Sequence, residues 1–171
     1  FYRLSSAREL IPDNDSTPLN SAQLYGGLTY GNDIKPLVRS LQEVTDISNM
    51  LNGVMDQQTL VADKGTKESF MQMNCKAPNI LHLSTHGFYY SLTDQNLPSS
   101  LEGYNDAMSL SGLVMSGGSL SSRLGLLTAD EVAQCNLSNT DIACLASCHS
   151  GQGEVTSEGI YGLQRAFKKA G

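Results

Sequence analysis

The stretch Asn79-Ile-Leu-His-Leu-Ser-Thr-His86 is a near-continuous apolar run bounded by Pro78 and Gly87. Its length, and its lack of strict apolar and polar alternation, are those of a strand buried on both faces in a parallel sheet covered by helices. A second run of this kind, Asp141-Ile-Ala-Cys-Leu-Ala-Ser-Cys148, lies between Asn139 and Gly151. Both end on a residue that carries chemistry.

Working outward, Gln23-Leu-Tyr-Gly-Gly-Leu-Thr-Tyr30 reads as an earlier strand and Thr59-Leu-Val-Ala62 as a short one. Leu37, Leu41, Val44, Ile47, Leu51 and Val54 recur at three- and four-residue spacing, which predicts a helix of about four turns closed by Asn52-Gly53. Thr128-Ala-Asp-Glu131 is a capping box ahead of Val132, and Ile160, Leu163, Ala166, Phe167 and Ala170 form one face of a last helix. Strand and helix alternate, so the expected fold is a three-layer α/β sandwich around a mostly parallel central sheet. Residues 91–122 differ: this Ser- and Gly-rich stretch with Pro98, Gly103, Gly117 and Gly118 reads as a long loop enclosing a short strand near Met108 to Met115. Long loops in compact domains serve as lids, binding loops or cleavage sites.

The chain of 171 residues is long enough for one domain with a real core, and 40% hydrophobic residues is ordinary for a globular protein. Eleven scattered Lys and Arg against seventeen Asp and Glu leave a net charge of −6 and no basic stripe, so nucleic acid is not an expected partner. No apolar stretch approaches the roughly 20 residues that cross a bilayer, and the opening FYRLSSAREL is not organised as a signal peptide. The four cysteines, Cys75, Cys135, Cys144 and Cys148, sit in a chain too rich in core to need disulfides, which fits a reducing, cytoplasmic setting. The chain ends where a helix C-cap is expected, at Gly171, with no closing strand, so a truncated or processed piece of a larger domain is the expectation.

In doubly wound sheets, reacting groups gather beyond the carboxyl ends of the strands. If the two apolar strands are neighbours, about 4.8 Å apart, His86 and Cys148 meet there as base and nucleophile. Gly87 and the Ser150-Gly-Gln-Gly153 turn supply backbone N–H groups for a developing oxyanion, donors typically worth about 3 kcal/mol of barrier. Taken alone, a cysteine in an apolar run is most often a buried structural thiol. His82 reads as a hydrogen-bonded core histidine deeper in the same strand. His149, adjacent in sequence to Cys148, points to the opposite side of an extended chain. Zinc is not expected, because four residues of strand span about 13 Å and zinc ligands lie within about 2.3 Å of one point; that separates His82 from His86 and Cys144 from Cys148. A mixed His86 and Cys148 site would lack a third ligand, and no cofactor is expected. The same separation rules out a Cys144–Cys148 disulfide. Cys75 and Cys135 read as incidental thiols at helix or loop ends. Glu154 and Glu158 suit the positive end of the last helix. Gly87, Gly151 and Gly153 read equally as turn glycines or as anion-binding backbone.

LHLSTHGF (81–88), MSLSGLVMSGG (108–118), LLTADEV (126–132), DIACLASCHSGQG (141–153) and GEVTSEGIYGLQRAFKKAG (153–171) together resemble a CHAT domain, with the opening YRLSSAREL and QLYGGLTYG extending the likeness over most of the chain. The most specific parts are the His86-Gly87 step, Cys148 with Gly151 three residues on, and Glu158-Gly159 followed by Gly162-Leu163 and Ala166-Phe167. CHAT domains are caspase-like cysteine peptidases, relatives of caspases, metacaspases and separase, largely prokaryotic and often attached to tetratricopeptide repeats. The resemblance implies a His86–Cys148 dyad, an oxyanion hole from the Gly87 and Cys148 amides, and hydrolysis through a thioester acyl-enzyme. Its expected partners are a protein substrate, a regulatory repeat module, and the rest of the domain, in the same chain or as a second processed chain. The caspase-like fold would then lack its C-terminal strands here, and the isolated piece would be inactive if those strands complete the groove. SCHSG is also similar to the metacaspase nucleophile motif, but Ala146 stands where metacaspases carry the Asp associated with cleavage after Arg or Lys. The rival expectation is a catalytically silent CHAT-like adaptor that binds a protein partner in the same groove. A third is a thiol hydrolase or transferase for small acyl groups.

Overall fold

Four strands lie side by side and parallel in a computed structural model that describes residues 18–147 and 157–171, the side chains of 157–161 excepted. They are β1 (Ser21–Leu28), β2 (Asp56–Ala62), β3 (Ile80–Leu83) and β7 (Ile142–Leu145), in the order β2-β1-β3-β7. Helix α1 (Ser40–Leu51) connects β1 to β2, and α2 (Lys67–Met71) lies between β2 and β3. Then come β4 (His86–Tyr89), β5 (Ser111–Val114) and β6 (Leu126–Thr128), which form a separate antiparallel sheet. Helix α3 (Ala129–Gln134) leads to β7, and α4 (Ser157–Ala170) follows. The expected α/β sandwich with a parallel sheet is what the chain forms.

The period-two alternation of β1 splits its side chains between two layers. Ala22 and Leu24 pack on Val44 of α1 on one face. Tyr25, with Leu81 and Leu83 of β3, faces Phe70 of α2, Val132 of α3 and Leu163 and Ala166 of α4 on the other. Glycine at position 26 is what lets α1 come down: a Cβ there would sit 2.5 Å from Val44 Cγ1 and 2.7 Å from the Ser40 carbonyl. The Ser40 hydroxyl then accepts from the Gly27 N–H at 2.8 Å. Helix α1 is shorter than the apolar spacing predicts. Leu37 and Val54 fall outside it, and Leu41 and Val54 are exposed, because only Val44 and its partly buried neighbours Ile47 and Leu51 face the sheet.

The Thr128 capping box is present in full, with the Glu131 N–H donating to Thr128 Oγ1 and the Thr128 N–H donating to the Glu131 carboxylate. Glu131 also pairs with Lys67 at 2.5 Å, tying α3 to α2. At the amino ends of the strands the buried Asn79 side chain joins three of them. Its Oδ1 accepts from Asn20 N and Ser21 Oγ beside β1, and its Nδ2 donates to Asp141 Oδ2 beside β7.

Two expectations about the long apolar runs are corrected. The first strand does not continue to His86. After Leu83 the Ser84 N–H still donates to Tyr25 O, but the Thr85 hydroxyl donates to the Val114 carbonyl and the chain passes into the antiparallel sheet. His86 therefore begins β4 and does not end β3, so it shares no strand face with His82. The second run, through Cys144, is not buried on both faces. Strand β7 is the edge of its sheet, with Ile142, Ala143 and Cys144 exposed, because β3 is its only strand neighbour among the described residues.

The smaller sheet stands on the main core through Leu113 and Leu127. Its other face carries a second core, where Phe88, Val114 and Leu126 meet Leu101 and Leu110 from the segment between β4 and β5, together with Tyr30 and Ile34. That segment is held by the chain between β5 and β6. The Arg123 guanidinium donates to the Ser100 and Glu102 carbonyls and lies 4.6 Å over the Tyr104 ring.

Candidate active site

Parallel pairing aligns the ends of β3 and β7, with Leu83 opposite Leu145 and the Ala146 N–H donating to Leu83 O at 3.0 Å. Just beyond this edge the first chain continues into His86-Gly87 and the second into Ser147. A Cβ placed on Gly87 would lie 3.6 Å from Ser147 Oγ and 3.7 Å from Ser147 Cβ. The residue before Cys148 is thus against the residue after His86. Cys148 itself, His149, Gly151, Gly153 and Glu154 lie outside the described residues, as does the side chain of Glu158.

His86 is 4% exposed, and its surroundings define its chemistry. Nε2 is 2.6 Å from the Lys35 carbonyl oxygen, which can only accept, so Nε2 carries the proton. In the neutral ring Nδ1 is then the basic nitrogen. One face of the ring region is closed by Tyr30, whose ring centroid is 4.8 Å away with the planes at 62°. Burial holds the imidazole below its ordinary pKa, and the Lys35 carbonyl, which favours the charged form, opposes this only in part. The side chain is therefore neutral at neutral pH and able to take up a proton.

The segment carrying Tyr30 and Lys35 is fastened from outside. Gly31 N donates to Gly118 O and Gly117 N to Thr29 O, both at 2.8 Å. The Asp33 carboxylate accepts from Ser119 Oγ at 2.9 Å and from the Leu120 and Ser121 amides at 2.8 and 3.3 Å. Slight desolvation would raise the Asp33 pKa, but these donors outweigh it and hold the carboxyl below its usual range.

The pairing of β4 with β5 orients the Gly87 amide. The Tyr90 N–H donates to Leu110 O, and antiparallel alternation then directs the amides of Phe88 and His86 toward β5 and that of Gly87 away from it. Among the described residues β4 is an edge strand, so this N–H is directed away from the ladder. The arrangement gathers a buried neutral imidazole, an outward backbone donor and the chain leading into a cysteine.

His82 is buried as expected for a core histidine, but its neighbour is a carboxylate. Its Nε2 lies 3.2 Å from Glu43 Oε1 without the alignment of a hydrogen bond, and Glu43 also accepts from Ser84 Oγ at 2.7 Å. Cys144 is beside His82 in register, on the exposed edge strand. Cys135 is buried at the end of α3, where desolvation and the nearby Glu131 charge push its thiol pKa up. Among the described residues, no three His, Cys, Asp or Glu side chains converge as metal ligands would. No helix among them is long and apolar enough to cross a membrane.

Three contributors escape sequence reasoning. Lys35 acts through its carbonyl, which no side-chain pattern reveals. Thr85 reads as strand interior. Tyr30 offers one signal, an aromatic residue placed just after the Gly-Gly strand.

No curated protein and no solved structure matches the chain. The family model for the CHAT domain matches residues 6–171, nearly the whole length. With its parallel sheet, its His86-Gly87 step and its strand leading to Cys148, the chain belongs to the CHAT domain family, which is associated with caspase-like cysteine peptidases.

Proposed function

We propose that the protein is a cysteine endopeptidase in which His86 is the general base and Cys148 the nucleophile. The observation that carries this reading is the contact of Ser147 with Gly87 beside a buried, neutral His86. His86 Nδ1 takes the Cys148 thiol proton as sulfur bonds to the scissile carbonyl carbon. The Gly87 and Cys148 amides hold the resulting oxyanion. As the C–N bond breaks, His86 returns the proton to the leaving amine and a thioester remains. Water, deprotonated by His86, then cleaves the thioester and restores the thiol.

The substrate is a protein, and an attached repeat module or partner regulates access. The open edge of β7 supports a further proposal, that another strand from the same domain or from a second processed chain completes the sheet there. The exposed stretch 92–96 supports the long segment after β4 as the place where cleavage or substrate contact occurs.

Incubation with a peptide library, compared with the Cys148→Ala variant, tests the assignment. Cleavage products that vanish in the variant are expected. Cleavage that persists, or a Cys148 thiol that iodoacetamide modifies no faster than the exposed Cys75, removes the peptidase reading in favour of an adaptor.

A further inference from the structure

We propose that Tyr30 is a positioning residue for His86, acting through its ring contact and through a Tyr30–Thr85–Val114 hydrogen-bond relay. The inference rests on the reading of His86 as the general base. The direction of the relay is fixed by its end. Val114 O can only accept, so the buried Thr85 hydroxyl donates to it. With that proton committed, the 2.9 Å contact between Tyr30 Oη and Thr85 Oγ1 has the phenol as donor. Burial raises the phenol pKa, with the His86 backbone N–H opposing it only in part, so Tyr30 stays protonated and able to donate.

The relay stands where the main chain changes sheets. Leu83 is the last residue of the parallel sheet and His86 the first of the antiparallel one, paired with Val114. Only Ser84 and Thr85 lie between them. Anchoring Thr85 to Val114 on one side and to Tyr30 on the other determines where His86 enters β4. Tyr30 also packs against the imidazole itself. The Lys35 carbonyl that holds Nε2 belongs to the same segment, fastened through Thr29, Gly31 and Asp33. Tyr30 thus contacts the ring, the backbone step beneath it and the second core. Misplacing a base by about 1 Å costs on the order of a hundredfold in rate, so partial loosening is expected to cost about tenfold.

The test uses Tyr30→Phe, which keeps the ring, Thr85→Val, which keeps the shape, and the double variant. Thr85→Ser restores the hydroxyl. Iodoacetamide modification of Cys148 is followed against pH, with Cys75 as internal control and thermal melts to verify folding. Each single variant should slow Cys148 about tenfold and leave Cys75 unchanged. The double variant should be no slower than either single, since one relay is broken in each. The acid limb of the rate profile should move upward, because a loosened His86 is better hydrated, and Thr85→Ser should restore both rate and limb. In 15N NMR spectra the wild-type ring should show the Nε2–H tautomer, and Tyr30→Phe a mixture. Unchanged rates and limb in the singles, or effects that multiply in the double, overturn the role of Tyr30. A wild-type Cys148 that reacts no faster than Cys75, with no dependence on His86 titration, overturns the dyad and the role of Tyr30 with it. The wild type alone reveals that second failure, so the two are distinguishable.

Discussion

Strands β3 and β7 are spelled almost alike, ILHL and IACL, and run parallel with Ile80 opposite Ile142 and Leu83 opposite Leu145. One is a central strand with Leu81 and Leu83 fully buried, and the other is an edge with Ile142 46% exposed. An apolar run therefore reports that a strand is built to be covered, not which neighbours cover it. The two also part at their ends. Beyond β3 the chain turns into a second sheet that encloses His86, whereas beyond β7, among the described residues, it approaches Gly87 through Ser147.

The largest difference is expected from truncating the central strand. Leu83 is sealed between β1 and β7 and faces the α2, α3 and α4 layer, so Leu83→Ala removes buried methyl groups and leaves a cavity. A loss of about 2–5 kcal/mol is expected in urea unfolding. A loss below about 1 kcal/mol would show that β3 is no more central than its neighbour.

Next comes the polar joint at the amino ends. Asn79 satisfies donors from the β1 side and donates toward the β7 side. Asn79→Ala orphans several partly buried groups at once and should cost about 1–3 kcal/mol. If β7 docks through this joint as well as through the β3 ladder, Cys144 should become more reactive toward thiol reagents in the same variant. An unchanged Cys144 rate would mean that the ladder alone holds the edge strand.

A smaller effect is expected from His86. Its folded pKa lies below the ordinary value, so the unfolded chain binds the proton more readily. Its contribution to stability is complete above the unfolded value, about 6.5, and is lost as pH falls through the lower folded value. Stability should thus decline on acidification from about pH 6.5, well above the range in which the carboxyls of Asp33 and Asp106, themselves held low, begin to titrate. His86→Gln should flatten that upper part of the profile. A slope that survives the substitution would assign it to another group.

The strands and helices with strong periods were legible because local chemistry dictates them: Val44, Ile47 and Leu51 on one face of α1, the Thr128–Glu131 box, and the apolar face of α4 with Leu163 and Ala166 buried. Of the smaller sheet only the middle strand, expected near Met108 to Met115 and found as Ser111–Val114, was legible. The two residues Ser84-Thr85 that carry the chain from one sheet to the other look like ordinary strand, and the side-chain bond from Thr85 to Val114 that makes the switch is non-local. For the same reason the site was legible as residue types at strand ends but not as an assembly. Lys35 contributes only a carbonyl, and Tyr30 acquires its place through Thr85.

The smallest effect is expected at the edge strand, and it bears on what β7 is for. In the chain described, Ile142→Ala removes a side chain that is already about half in water, so the loss should stay below about 1 kcal/mol. Leu83→Ala in the central strand then exceeds it severalfold. Should Ile142→Ala instead cost as much as Leu83→Ala, β7 is covered in solution, by a second copy if the cost depends on protein concentration. In a longer protein that supplies the strand proposed for this edge, the same substitution should become core-like in cost while Leu83→Ala stays constant. The ratio of the two losses, measured in each chain, therefore reads directly whether the strand leading to Cys148 has found its outer neighbour.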